Sequence, residues 1–395
     1  MAEDPNNTGA QGGISRRNMF GAASLASLGM AAGSLWTRQA KAADEKNEPK
    51  KTVEPLAPFK YDLEAQTHWV GPGGSAKEAT VEEFPVSESI AGVSMRLEPG
   101  AIRELHWHTL AAEWAYMLEG RCRATVITPN GQADVSDFEE GDTWYFPRGH
   151  GHCLQGLGPG PCHFLLVFDN GHFSEFGTFD ASDWFATTDR RILSRQLNLP
   201  EAALNKMPKK QLYIGPGKVP PQQGEPFRNP ETELIMGTHK YRLDRQPPRV
   251  YPGGTEHMVT AKEFPIQQTL TAVRMDLQPG ALRELHWHPH ADEWQYFVKG
   301  RARIGIFGSH GRSKVEEFGP GNVGFVKQGY GHYIEQIGDE PTEILVLFNS
   351  GEYQEISLAN WLGANPISIL ETNFGISREE IAKLPTREAG ILRRA

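Results

Sequence analysis

Arg103-Glu104-Leu105-His106-Trp107-His108, followed by Glu113-Trp114, returns letter for letter as Arg283-Glu284-Leu285-His286-Trp287-His288 and Glu293-Trp294. The offset is 180 residues, and it holds well beyond this stretch. Tyr61 repeats as Tyr241, Gly73-Gly74 as Gly253-Gly254, Phe84-Pro85 as Phe264-Pro265 and Pro99-Gly100 as Pro279-Gly280. Downstream, Gly120-Arg121 returns as Gly300-Arg301, His152 as His332, Phe168 as Phe348 and Gly171 as Gly351. Then the register slips. Trp184 and Pro208 match Trp361 and Pro385 at an offset of 177, so the first half carries three extra residues between Gly171 and Trp184. A repeat of this length means two copies of one domain, which suits a chain of 395 residues.

Each copy reads as β-rich. Residues 93–97 and 272–277 alternate as half-buried strands do and end near Pro-Gly turns. Residues 114–117, 123–127, 144–146 and 164–168 continue the series at short spacing. With 42 glycines and 28 prolines, turns and short strands are favoured over long helices. The fold class predicted is all-β, a sandwich or closed barrel in each half. A short helical stretch follows each barrel. Residues 377–384 open with the S-x-x-E pattern of Ser377 and Glu380, a helix start. Residues 200–207 are the counterpart, with Pro200 tolerated in the first turn.

The net charge of −9 gives no reason to expect nucleic acid or an anionic membrane as partner. At the N-terminus, Ser15-Arg16-Arg17-Asn18-Met19-Phe20 precedes a weakly apolar run from Gly21 to Leu35, too short for a permanent bilayer anchor. Ala40-Lys41-Ala42 supplies a small-residue cleavage site. This arrangement resembles a bacterial twin-arginine export signal over residues 1–43, which implies a periplasmic or secreted protein without a membrane anchor in its mature form. Residues 44–60 read as a charged linker or arm, 61–230 as the first domain with its helical extension, and 231–395 as the second with a helical tail. Cys122, Cys153 and Cys162 are too few for a disulfide framework and read as small core thiols, although Cys153 with Cys162 is a conceivable pair.

Successive side chains of a strand point to opposite faces, so His106 and His108 share a face, as do His286 and His288. Glu113 and Glu293 follow five residues later, and His152 and His332 come from a distant strand after a glycine-rich turn. Three imidazoles and one carboxylate suit Mn²⁺, Fe²⁺ or another octahedral cation, with two coordination positions left over. Structural zinc more often uses cysteine and closes its shell at four ligands. A single H-x-H is weak evidence. The same four residue types at identical spacing in two β-rich halves is strong evidence for two metal sites.

These residues carry a family resemblance. Gly100-x₅-His106-x-His108-x₄-Glu113-x₆-Gly120 fits the first cupin motif, and Gly280 to Gly300 fits it again. Gly141-x₅-Pro147-x-Gly149-x₂-His152 fits the second motif up to its histidine. The departures are Gly156 and Gln336 where asparagine is usual, and Lys327 where proline is usual. The hexapeptide, Glu113-Trp114-Ala115-Tyr116 and Trp144-Tyr145-Phe146-Pro147 resemble the bicupin oxalate decarboxylases, from about Tyr61 onward. The resemblance implies two tandem jelly-roll barrels and one Mn²⁺ in each, two per chain. It also implies conversion of oxalate to formate and carbon dioxide with dioxygen as co-catalyst, and a homo-oligomer.

It further implies that Arg103 and Arg283 line the sites and bind the planar substrate, a task suited to a guanidinium. Strict alternation turns both arginines away from His106 and His286, so a bend after the Pro-Gly turn is expected to bring them in. The three extra residues fall beside Phe173-Ser174-Glu175-Phe176-Gly177-Thr178-Phe179, which resembles the decarboxylases' mobile lid. There Glu175 matches the proton-shuttling glutamate, while Phe176 and Gly177 stand where Asn and Ser are more frequent. The second half keeps Glu355 on a shorter connection and has Val346 where the family often has a glutamate. Catalysis by Glu175 and Arg103 is therefore expected in the first domain. The rival readings are an oxalate oxidase releasing hydrogen peroxide, which needs no proton-returning acid, and a non-enzymic metal-binding bicupin.

Overall fold

The computed structural model describes residues 53–66, 69–222 and 225–393, and the chain from Pro55 onward forms one compact unit. The stretch read as an export signal lies outside the described residues. Among those described, no helix is long and apolar enough to cross a membrane.

Each half folds as two facing sheets that are antiparallel except where Leu234–Ile235 runs parallel to Ala133–Glu139. In the first half one sheet runs Trp69–Gly71, Gly74–Ala79, Ala91–Leu97, Cys162–Phe168, Glu113–Glu119 and Thr143–Phe146 in spatial order. Its partner sheet runs Phe179–Asp180, Ile102–Trp107, Gly151–Gly156, Arg121–Ile127 and Ala133–Glu139. The second half repeats this with Gly254–Val259, Thr271–Leu277, Thr342–Phe348 and Glu293–Lys299 in one sheet, and Leu282–Trp287, Gly331–Gln336 and Ala302–Gly308 in the other. This is the jelly-roll architecture the sequence predicts.

The two halves exchange edge strands. Lys60–Asp62 pairs with the second barrel, Tyr61 opposite Val323, and Lys240–Tyr241 pairs with the first, Tyr241 opposite Thr143. The start of the sequence-predicted first domain at residue 61 thus lies in a sheet of the second. A strand edge leaves N–H and C=O groups unpaired. The exchanged arms, one around Tyr61 and one around Tyr241, satisfy them.

Three apolar clusters follow from this plan. One fills each barrel, and a third joins Trp114, Tyr116 and Leu165 to their counterparts Trp294, Tyr296 and Leu345. The strand Glu113–Glu119 therefore buries both faces over its first five residues, one into its barrel and one against the other half. Gly92 is small for a reason: a Cβ there would collide with the Trp294 indole.

The predicted tail helices form as Glu201–Leu204 and Arg378–Ile381. Pro200 sits at the N-cap, one position before the first turn, and Ser377 with Glu380 closes a complete capping box. The three cysteines are free, Cys122 and Cys162 fully buried.

Candidate metal centres and lid

His106 lies on the strand Ile102–Trp107, His108 just past its end, Glu113 at the start of the next strand and His152 on Gly151–Gly156. Their ligand atoms all lie within 4.8 Å of one another, and all four side chains are buried. His286, His288, Glu293 and His332 form the same cluster in the second barrel. Backbone contacts set the rings. His106 Nδ1 lies 2.6 Å from Glu104 O and His152 Nδ1 2.9 Å from His150 O, so each Nε2 faces inward. Gly149, at φ +80°, turns its N–H onto His108 O at 2.7 Å, which ties the H-x-H segment to the turn before His152.

The inward atoms are what a cation needs. His106 Nε2, His108 Nε2, Glu113 Oε2 and His152 Nε2 are buried with no hydrogen-bond partner among the described residues. Four orphaned lone-pair donors converging from four positions are costly unless a metal ion satisfies them. Burial, followed by the charge of Arg103, holds His106 well below the usual histidine range, so it offers a lone pair. In the second barrel burial acts the same way on His286, with Arg283 next. Glu293 is pulled well below the usual carboxylate range by His332 and His288 against its burial. Both donor sets fit a divalent cation.

The outer support differs between the centres. Trp144 Nε1 donates to Glu113 Oε1 at 2.7 Å, whereas Gln295 Nε2 donates to Glu293 Oε1 at 2.5 Å. At the 180 offset, Trp144 becomes Gly324 and Ala115 becomes Gln295, and a Cβ at 324 would strike the Gln295 amide. Two coordinated changes thus give one hydrogen bond. The aligned repeat contains that signal, although reading motifs alone misses it.

Arg103 enters the site by a route other than the one expected. Against the strand Gly151–Gly156, His106 pairs with His152 but Arg103 pairs with Leu154, so one residue bulges from the ligand strand. Leu105 is ejected to 61% exposure while Arg103, Glu104 and His106 all turn inward. A β-bulge inside the strand, not a bend after the Pro-Gly turn, breaks the alternation. The second barrel does the same between Arg283 and His286. Glu104, unremarked in the repeated hexapeptide, accepts hydrogen bonds from Leu212 N, Tyr213 N and Ser182, anchoring the helical extension behind the site. Glu284 does likewise for Ala389 and Gly390.

Residues Glu175–Gly177 form a single 3-10 turn over the first centre. Glu175 is 1% exposed, its Oε2 3.4 Å from His108 Nε2 and its Oε1 3.8 Å from His106 Nε2. Arg103 donates from Nε to Glu175 Oε1 at 2.7 Å, from Nη1 to Asp180 Oδ1 at 2.8 Å and from Nη2 to Thr178 Oγ1 at 2.6 Å. The Tyr213 ring lies 4.4 Å below the guanidinium. Burial pushes the Glu175 carboxyl up, but the Arg103 charge and contacts with His108 outweigh it and hold it down at about 2. The same carboxylates keep Arg103 charged against its burial. Asp180, Thr178 and Tyr213 are functional neighbours the sequence reading missed, since each reaches Arg103 from a distant or irregular segment.

The three-residue difference falls between the glutamate and the strand that closes onto the ligand strand. Glu175 is followed by four residues before Asp180 pairs with His106, whereas only Ile356 separates Glu355 from Ser357, which pairs with His286. Beside the first centre, a cavity of about 180 Å³ opens between Trp107, His108, His172, Phe173 and Thr178. At the second, Glu355 and Tyr353 bind Arg283, Glu256 adds a carboxylate 3.4 Å from its Nε, and about 10 Å³ remains. Val346 lines that small space together with Glu256.

The cupin family pattern matches residues 63–203 and 241–382. Oxalate decarboxylase OxdC of Bacillus subtilis (strain 168) is 39% identical over 307 residues, covering 78% of this chain and 79% of that protein. An oxalate decarboxylase of Arthroderma benhamiae is 32% identical over 339 residues, covering 79% of each. A solved structure of the B. subtilis enzyme, concerned with that protein's Mn(II) centres, superposes with a TM-score of 0.81 at 33% identity, over 94% of this chain and 97% of that one. The formate complex of the Lactobacillus farciminis enzyme gives 0.79 at 36% identity, over 84% and 98%.

Proposed function

Because the chain belongs to the bicupin oxalate decarboxylases of the cupin family, we propose that it converts oxalate to formate and carbon dioxide, with manganese and dioxygen required and the first barrel doing the chemistry. The observation that carries the assignment to the first barrel is Glu175. It is a buried carboxylate on a lengthened lid, within 4 Å of two ligand histidines and bonded to Arg103.

His106, His108, Glu113 and His152 would hold manganese, which when bound would supply Lewis acidity toward a substrate carboxylate and, with dioxygen, one-electron chemistry. Arg103 orients the far end of the substrate, exchanging its hydrogen bond to Glu175 for one to the oxalate carboxylate. Glu175, ionised when closed against Arg103, accepts the proton of hydrogen oxalate. Breaking the C–C bond releases carbon dioxide, and the same proton is returned to the remaining carbon. Hydrogen oxalate thus gives formate and carbon dioxide with atoms and charge balanced. The lid excludes water while the proton is out of place.

In the second barrel Glu355 meets Arg283 on a connection three residues shorter than that of the first barrel. Its metal is assigned a supporting role. The protein is further assigned export by the twin-arginine route on residues 1–43, a periplasmic or secreted site of action, and a homo-oligomeric state.

Purified, manganese-loaded protein given oxalate in air should yield formate stoichiometrically with little peroxide and no net oxygen uptake. Peroxide in equal yield to oxalate consumed would identify an oxidase, and no turnover of oxalate would remove the assignment.

A further inference from the structure

Glu78 lies on the strand Gly74–Ala79, opposite Val93, and is 7% exposed. Nothing in the proposed reaction uses it. Its carboxylate receives the Ser174 hydroxyl at 3.0 Å on Oε1 and 3.1 Å on Oε2, and the Glu175 N–H at 3.2 Å on Oε2. The Ser174 hydroxyl also accepts from Phe176 N, capping the 3-10 turn. The barrel wall therefore grips the lid at Ser174 and Glu175. The charged side chains that act on Glu78 are themselves carboxylates, Glu83 and Glu175. A buried acid placed among acids is unfavourable, so its position calls for a reason.

The internal repeat supplies an independent comparison. At the 180 offset, Glu78 becomes Met258 and Ser174 becomes Gln354, while Glu175 is kept as Glu355. The pair Glu78 and Ser174 occurs only where the long lid does.

We propose that Glu78 is the latch of the lid, a positioning residue that holds Ser174 and Glu175 closed over the first metal centre and so sets how often Glu175 is in place to return its proton to carbon. The proposal rests on the reading of Glu175 as that proton donor. When the latch releases, the proton is not returned to carbon, and dioxygen instead takes two electrons from hydrogen oxalate, which with one further proton gives two carbon dioxide and one hydrogen peroxide in place of formate.

Reach and charge can be separated at this position. Glu78→Gln loses the charge but keeps a carbonyl oxygen where Oε2 accepts from both lid groups. Glu78→Asp keeps the charge but withdraws the acceptor by one methylene. Using full-length, manganese-loaded enzyme, formate and peroxide per oxalate, kcat, KM and amide hydrogen exchange of residues 173–179 are measured. Glu78→Gln should stay within about twofold of wild type in formate kcat and lid protection. Glu78→Asp should lose about tenfold in formate kcat with KM little changed, raise the peroxide share and speed lid exchange. Ser174→Ala, which leaves the barrel untouched, should move in the same direction and serves if the aspartate variant does not fold. Wild-type product partition and lid exchange in Glu78→Asp, or in Ser174→Ala where it stands in, would overturn the latch, as would a Gln variant as impaired as Asp. If the wild type itself makes no formate, the decarboxylase reading fails, and lid exchange in the same variants still judges the latch.

Discussion

Arg103 Nε donates to Glu175 Oε1 across 2.7 Å, and neither side chain is more than 1% exposed. The two groups assigned to orienting oxalate and moving its proton neutralise each other in the closed site. On the proposed mechanism, a substrate carboxylate that takes the Nε donor of Arg103 releases the Glu175 carboxylate, so that binding and the freeing of the shuttle become one event. That coupling makes the lid part of the chemistry.

Glu175→Gln keeps the size and loses the ability to carry a proton. Formate kcat should fall by about a hundredfold or more, within the usual range for a lost general acid–base, while manganese content stays at two per chain. Unchanged formate production, measured by a coupled dehydrogenase assay, would show that another group shuttles the proton.

Arg103→Lys should cost both stability and activity. One ammonium cannot span Glu175, Asp180 and Thr178 as the three guanidinium nitrogens do. Losing one charge-assisted hydrogen bond of this kind typically costs about 1.5–3 kcal/mol, which urea unfolding would register. The loss of kcat/KM should exceed that of Glu175→Gln in its KM component, because substrate binding is also lost.

Removing one histidine from each centre separates their roles. His106→Ala and His286→Ala should each lower bound manganese from two to one, as read by elemental analysis. Only His106→Ala should abolish formate. A His286→Ala enzyme that keeps its first metal yet makes no formate would place chemistry, or an obligatory step of it, in the second barrel.

Burial, with help from the Glu83 and Glu175 charges, pushes the Glu78 carboxyl up to about 7 despite its hydrogen bonds from Ser174 and Glu175 N. The folded protein then binds this proton more tightly than the unfolded chain does. Stability from this source is present near pH 4.5 and is lost as pH rises through about 7, by about 3 kcal/mol at most. Glu78→Gln should remove that dependence, gaining stability relative to wild type at pH 8 compared with pH 5. Thermal unfolding of both proteins at the two pH values gives the answer. A constant difference between them would show that Glu78 does not titrate in this range.

The sequence alone determined the two-barrel plan, the eight residues that cluster as two candidate metal centres and the glutamate on the longer connection. Each of these is written locally: an internal repeat, a two-residue strand period, a three-residue insertion. It left Arg103 and Arg283 facing the wrong way, since ideal alternation contains no bulge. It was also silent on Asp180, Tyr213 and Glu78 and gave Thr178 no role, because these residues approach from segments with no shared spacing. The exchanged strands around Tyr61 and Tyr241 were equally hidden, because the pairing partner of an edge strand has no local mark.

The opening hexapeptide therefore pointed to the candidate metal ligands, and tertiary structure decided how a buried carboxylate, Glu175, is held over the first cluster. Coordination is fixed by side chains a few residues apart on one strand and its neighbours. The placing of Glu175 depends on a buried network among Glu78, Arg103, Glu175 and Asp180, whose members meet only once the sheets have closed and water has been excluded from between them.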